Sequence, residues 1–324
     1  MTRNTTVCVG TLGQGIWRST DGGENWMRVR EGVYSESAVR ALAVHPGDPS
    51  VIYAGVDDGI YRSDDRGENW RRLDSPMNDM PIWALAIDPV DNKTIFAGTK
   101  PAALFRSKDG GETWKKLPVE IAEECPNVRI PRVTALVVDP LDHSNVWAGI
   151  EVDGVRRSKD GGDSWETVTA GINDPDIHDL VITAGPPKTL LTITPREVFS
   201  STDDGDTWQP VSVGSQVSIP YCRPVLIKAD DPQTIFMGNG NGAFGDSGAI
   251  HRSRDRGRTW ENLPLPVQPN GGFWDLATHA SDPDFILAST VNGQVYFSDN
   301  AGDSWTKYPR DFGEVHALAC VSNS

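Results

Sequence analysis

The stretch SKDGGDSW, residues 158–165, sets two carboxylates, Asp160 and Asp163, around a Gly-Gly turn and closes with an indole. Acidic side chains three apart on a glycine-rich loop suit a calcium loop or a pair of catalytic carboxylates. The octet returns, however, at residues 19, 63, 107, 158, 201, 253 and 298, with Ser first and Trp last each time. A catalytic centre is needed once, and Arg256 and Arg258 in the sixth copy would spoil a cation site. The pattern predicts a fastener instead. Its carboxylate accepts backbone N–H bonds across a tight turn, and its Trp packs on neighbouring sheet.

Residues of another kind lie upstream of the octets. Arg40, Trp83, Thr134, His178, Arg223, Trp274 and His316 each hold the second position of a short apolar stretch, such as VRALAVHP, IWALAIDP or VHALACV. The position after them runs Ala41, Ala84, Ala135, Asp179, Pro224, Asp275 and Ala317. Brought to one level, these side chains would form a substrate-binding ring. Arg40 and Arg223 would hold a carboxylate, sulfate or phosphate by guanidinium forks, and Trp83 and Trp274 would stack on a sugar or aromatic ring. His178 and His316 suit acid–base catalysis near neutral pH, with Asp179 or Asp275 orienting them, although neighbours on a strand point to opposite faces. Arg129, Arg132, Tyr221 and Tyr34, with Glu36, Arg196 and Asp246, join the site from flanking loops. No cofactor is assigned. A divalent metal between the two histidines lacks a clear third ligand.

The elements that must position this ring follow from the octet spacings, 44, 44, 51, 43, 52 and 45 residues. Each period carries four short strands, with the octet as the turn between the third and fourth. That is the signature of a β-propeller. The N-terminal TTVCVGTLGQGIWRS supplies second and third strands with no first, and the C-terminal VHALACV is a first strand with nothing after it. The expected fold is therefore all-β, a seven-bladed propeller of four-stranded antiparallel blades. The C-terminal strand completes the N-terminal blade, and residues 1–324 form one domain. Octet turns fall at one end. The irregular loops 118–132, 212–221, 238–249 and 264–272 fall at the other, around the channel mouth, where loop elaboration usually carries function.

The octet resembles the BNR or Asp-box repeat, S-x-D-x-G-x-T-W, of sialidases, sortilin-type receptors, xyloglucanases and the YCF48 photosystem assembly factor; Asn300 departs from it in the last copy. The resemblance spans the chain and implies a propeller, but enzymes, receptors and scaffolds share it. VRIPRV, residues 128–133, resembles the Arg-Ile-Pro motif of sialidases. It stands before the fourth inner strand rather than near the N-terminus, and sialidases resemble six-bladed propellers, which sets this chain apart from them.

Net charge of −15 disfavours nucleic-acid and anionic-membrane partners. No long apolar run marks a leader or span, so the chain reads as cytoplasmic, and its four cysteines show no CxxC spacing. The leading expectation is a hydrolase or lyase acting on a small anionic substrate at the channel mouth. A non-catalytic interaction or assembly scaffold is the alternative, and a carbohydrate-binding receptor resting on the tryptophans is a third.

Overall fold

In the computed structural model, which describes residues 3–126 and 128–323, the strands fall into seven separate four-stranded antiparallel sheets. The innermost strands are Val39–Val44, Ile82–Ile87, Val133–Val138, Asp179–Thr183, Tyr221–Lys228, Phe273–His279 and Val315–Ser322. Val315–Ser322 pairs with Thr5–Thr11, so the end of the chain completes its first blade. We number the blades from that one. The second strands Ile52–Val56, Ile95–Thr99 and Val146–Ile150 are buried along their whole length, as expected for short apolar runs covered by sheet on both faces. Between consecutive blades lie compact apolar clusters, such as Trp147, Leu180, Phe199 and Trp208 between the fourth and fifth.

One irregularity repeats and positions the ring. Register slips between Val39 and Ala41, Ile82 and Ala84, Val133 and Ala135, and Phe273 and Asp275. It slips also between Cys222 and Val225, and where Thr11 and Gly10 face Val315 and Ala317. Arg40, Trp83, Thr134, Trp274, Arg223 and His316 are therefore bulge residues, turned out of the pleat toward the axis. Opposite all of these bulges but the seventh-blade one, where Ser289 stands, a glycine lets the next blade come close. A Cβ on Gly98 would lie 2.4 Å from Val133, and one on Gly149 2.6 Å from Ile177.

Every octet is a fastener. In SKDGGDSW, Ser158 Oγ accepts the Gly162 N–H (2.7 Å) and donates to Asp160 Oδ1 (2.8 Å). Asp160 also accepts the Ser164 N–H and hydroxyl (2.8 and 2.6 Å), and Trp165 Nε1 closes on Gly162 O. Asn300 makes the same turn in the last copy, accepting from Ser298 and the Ser304 N–H. Asp163 has a different task. It pairs with Arg106 of the preceding blade (2.8 Å), whose guanidinium also donates to Gly161 O.

That inter-blade clamp is general. The arginine immediately before an octet reaches the fourth-position carbonyl of the next octet: Arg18 to Arg66 O, Arg62 to Gly110 O, Arg157 to Asp204 O, and Arg252 to Ala301 O. Only blades five and seven lack it, carrying Ser200 and Phe297 instead.

Candidate functional site

All seven ring residues line one axial cavity of about 210 Å³, with Arg132, Asp179 and Asp275. The bulges set aside the alternation that would have separated Asp275 from Trp274. His178, just ahead of its strand, reaches the same place by donating its own N–H to Ile193 O.

Guanidinium, indole and imidazole groups form a continuous arc. Arg223 lies over Trp274 (3.3 Å), and Trp274 packs on His316 at 4.1 Å and 31°. His316 meets Trp83 edge-on at 6.1 Å, and Trp83 carries Arg40 and Arg132 at 4.4 and 3.9 Å. The indole surfaces expected to stack on a sugar are thus engaged by the protein's own cations.

Arg132 pairs with buried Glu151 (2.6 Å). Among the described residues no carboxylate forms an ion pair with Arg40 or Arg223; the latter donates only a long 3.4 Å bond to the Tyr221 hydroxyl. Burial lowers the pKa of all three, that of Arg223 to about 10. Several buried atoms at the site have no partner: Arg40 Nε, Arg132 Nε, Trp83 Nε1, His316 Nδ1, Glu151 Oε2 and Asp176 Oδ1. Three of these six are donors and three are acceptors.

The histidines differ. His178 donates Nδ1–H to Cys222 O (2.7 Å), and its Nε2 lies 3.5 Å from the Tyr221 hydroxyl and 3.6 Å from Asp176 Oδ2. His316 donates Nε2–H to Glu314 (2.9 Å). Burial, and then Arg40, Arg223 and Arg132, push its pKa down to about 2, so it is neutral with Nδ1 bare.

Asp179 and Asp275 do not orient these histidines. Asp179 accepts the Leu180 and Val225 N–H groups (2.8 and 2.9 Å), and Asp275 those of Leu276 and Leu318 (2.9 and 2.6 Å). Each staples its blade to the next inner strand, at the two seams without an arginine clamp. Burial raises their pKa values to about 7 and about 8. Thr134 is likewise committed, donating to Ile177 O (2.7 Å).

The loop residues divide. Arg132 lines the cavity and Tyr221 stands beside it, against His178 and Arg223. Tyr34 is 68% exposed and sits in a separate surface groove with Arg28 and Arg30. Arg129 is exposed at the turn where it bridges Cys125, and Glu36, Arg196 and Asp246 are exposed as well. A mouth-loop position alone therefore does not bring a residue to the site. Cys222 is buried, its thiol pushed up to about 12. Glu151 and Asp176 escaped notice in the sequence. Glu151 follows the VWAGI strand, where the second blade has Asp57 and the third Lys100, and that alignment was the available signal. Among the described residues, no group of three or more His, Cys, Asp or Glu side chains could hold a metal ion.

With this geometry in place, comparison with known proteins assigns the repeat. Residues 134–314 match the profile described as photosynthesis system II assembly factor YCF48. The chain belongs to that family. Segments 14–123 and 58–148 also match the profile of sortilin, neurotensin receptor 3. A xyloglucanase from Paenibacillus sp. is 27% identical over 207 residues, 53% of this chain but only 20% of that enzyme. In fold, the GH74 xyloglucanase of Xanthomonas campestris superposes with a TM-score of 0.70 at 18% identity, covering 94% of this chain and 52% of that one. YCF48 from Cyanidioschyzon merolae gives 0.59 at 16% identity, covering 84% and 85%. A structure described as YCF48 bound to D1 peptide gives 0.58 at 17%, covering 86% of each. This chain thus spans about half of the solved xyloglucanase and nearly all of the YCF48 chains.

Proposed function

We infer that this propeller is a receptor whose axial cavity takes an oxyanion carried by its ligand, between Arg40 and Arg223. The observation that carries this reading is the pair of cavity-lining guanidiniums without a carboxylate partner. Unpaired buried charge is costly, and an oxyanion offsets that cost with charge-assisted hydrogen bonds. A neutral sugar brings a donor with every hydroxyl, but Asp179, Asp275 and Thr134 are already hydrogen-bonded to backbone. At about 210 Å³ the cavity is smaller than the usual ligand pocket of about 300–1,000 Å³, so it suits one group of a larger ligand or a small acid. The YCF48 likeness and the peptide in one of those structures support the receptor reading. The xyloglucanase likeness supports it less, because that substrate is a neutral polysaccharide.

Calorimetry with peptides ending in a free carboxylate, with their amidated forms and with neutral xyloglucan oligosaccharides tests this. Free-carboxylate peptides should bind, and Arg40→Gln with Arg223→Gln should weaken them by about 10–100-fold. Equal binding of the neutral oligosaccharide to wild type and variant would sink the reading.

A hydrolase or lyase is the second reading, supported by His178, whose ring is held by Cys222 O with Nε2 facing Tyr221 and Asp176. It predicts turnover of small anionic esters or glycosides that His178→Ala and His316→Ala abolish without lowering thermal stability. Full activity in both variants would exclude it.

A further inference from the structure

Beneath the arginine ring the same cavity is walled by the two buried carboxyls, Asp179 and Asp275. They stand at the seams between blades five and six and between blades seven and one, so both flank the two-blade body that carries Arg223 and Trp274. Any anion held by Arg40 and Arg223 shares a low-dielectric space with them. Resting on the oxyanion reading, we propose that the cavity takes up a proton together with its anion, and that the Asp179–Asp275 pair is the acceptor.

The physical argument is electrostatic. A buried carboxylate already lacks water, and the charge favouring its ionised form is Arg223 for Asp179, while Asp179 itself opposes ionisation of Asp275. An anion engaging Arg223 removes that support and adds a like charge, so each carboxyl holds its proton more tightly. Other titratable groups face the same space. His316 is kept neutral by burial and the three arginines, Glu151 is held by Arg132, Asp176 is drawn toward the anion against its burial by His178, Arg223 and Arg132, and Tyr221 is shifted upward by burial. His178 also faces this space, with Nε2 3.5 Å from the Tyr221 hydroxyl and 3.6 Å from Asp176 Oδ2, and serves as the control position.

Linkage fixes the sign. Binding that raises an acceptor's pKa is tighter where the free acceptor is already protonated, and it weakens as pH climbs through the free-state values near 7 and 8. Sulfate is the suitable probe, since its own charge is constant over that range. Calorimetric titration of the intact protein with sodium sulfate, at fixed ionic strength, should show affinity falling by about tenfold or more between roughly pH 6 and pH 9. At pH 7.5 or so the heat should differ between buffers of unlike ionisation enthalpy, in the sense of proton uptake. Asp179→Asn with Asp275→Asn keeps an acceptor for one of the two backbone N–H groups at each site and should flatten the pH profile, whereas His178→Gln should retain it. Buffer-independent heats in wild type overturn the proposal without needing any variant, and so does a slope that survives in the Asn variant or vanishes in His178→Gln. No sulfate binding at any pH would overturn the oxyanion reading along with it, whereas binding without proton uptake removes only the coupling.

Discussion

The carboxylates of this protein titrate in two opposite directions, and their sum predicts an unusual stability profile. Hydrogen bonds from Thr113, Ser164 and Thr207 hold octet residues Asp109, Asp160 and Asp203 down to about 2. Their contribution is present above the unfolded carboxylate range and is lost as pH falls toward 2. Asp179 and Asp275, raised by burial to about 7 and about 8, bind protons in the fold that the unfolded chain releases near pH 4. Their contribution is complete below that value and is lost as pH rises to 8. Thermal unfolding should therefore peak at roughly pH 4–6, and Asp179→Asn with Asp275→Asn should flatten the alkaline limb. A midpoint that climbs steadily to pH 8 would contradict the assignment. At this scale the ring was readable, because seven equivalent positions could be compared and a propeller puts equivalent positions at one level. The roles of its members were not. Whether an aspartate orients a histidine or caps a backbone N–H depends on a bulge, and whether a tryptophan face is free depends on where arginines fold over it.

Between elements, the arginine clamps join strand to turn across five of the seven blade seams. Arg157 is almost wholly buried, and its guanidinium meets Glu166, Asp206 and Asp204 O. Its carboxylate partners are half exposed, so the charge contribution is screened and the loss in Arg157→Ala falls mainly on buried hydrogen bonds and packing of the stem. We expect about 1–3 kcal/mol of destabilisation, read from denaturant midpoints, and a negligible change for Ser200→Ala at the equivalent position. Little or no effect of Arg157→Ala would show the clamp to be incidental. The clamp was latent in the sequence: WRS, YRS, FRS, RRS and HRS precede five octets, and the sixth octet, facing Ser200, carries Arg258 where the others carry Glu or Asp. The element count was visible because turn chemistry marks every period. The bulges were not, since simple alternation has no room for an extra residue and only pairing with the second strand exposes it.

For the whole molecule, closure rests on one strand. Val315–Ser322 is buried along its length and hydrogen-bonded to Thr5–Thr11. Truncation after Glu314 leaves Thr5–Thr11 as a bare sheet edge beside an open cavity wall. Such a chain should lose its cooperative thermal transition and self-associate on gel filtration; a monomer with an unchanged midpoint would refute the role given to that strand. The clamps also have a direction. Each arginine grips the blade that follows it in the chain, so during synthesis a blade presents its cation before the acceptor carbonyl has emerged. Growth from the N-terminus can lock blade upon blade through the fifth, and then joins the sixth to the seventh. The seam that can be sealed only once Val315–Ser322 has been made, between blades seven and one, is one of the two from which the forward-reaching arginine is missing. The ring carries its order of assembly in its side chains.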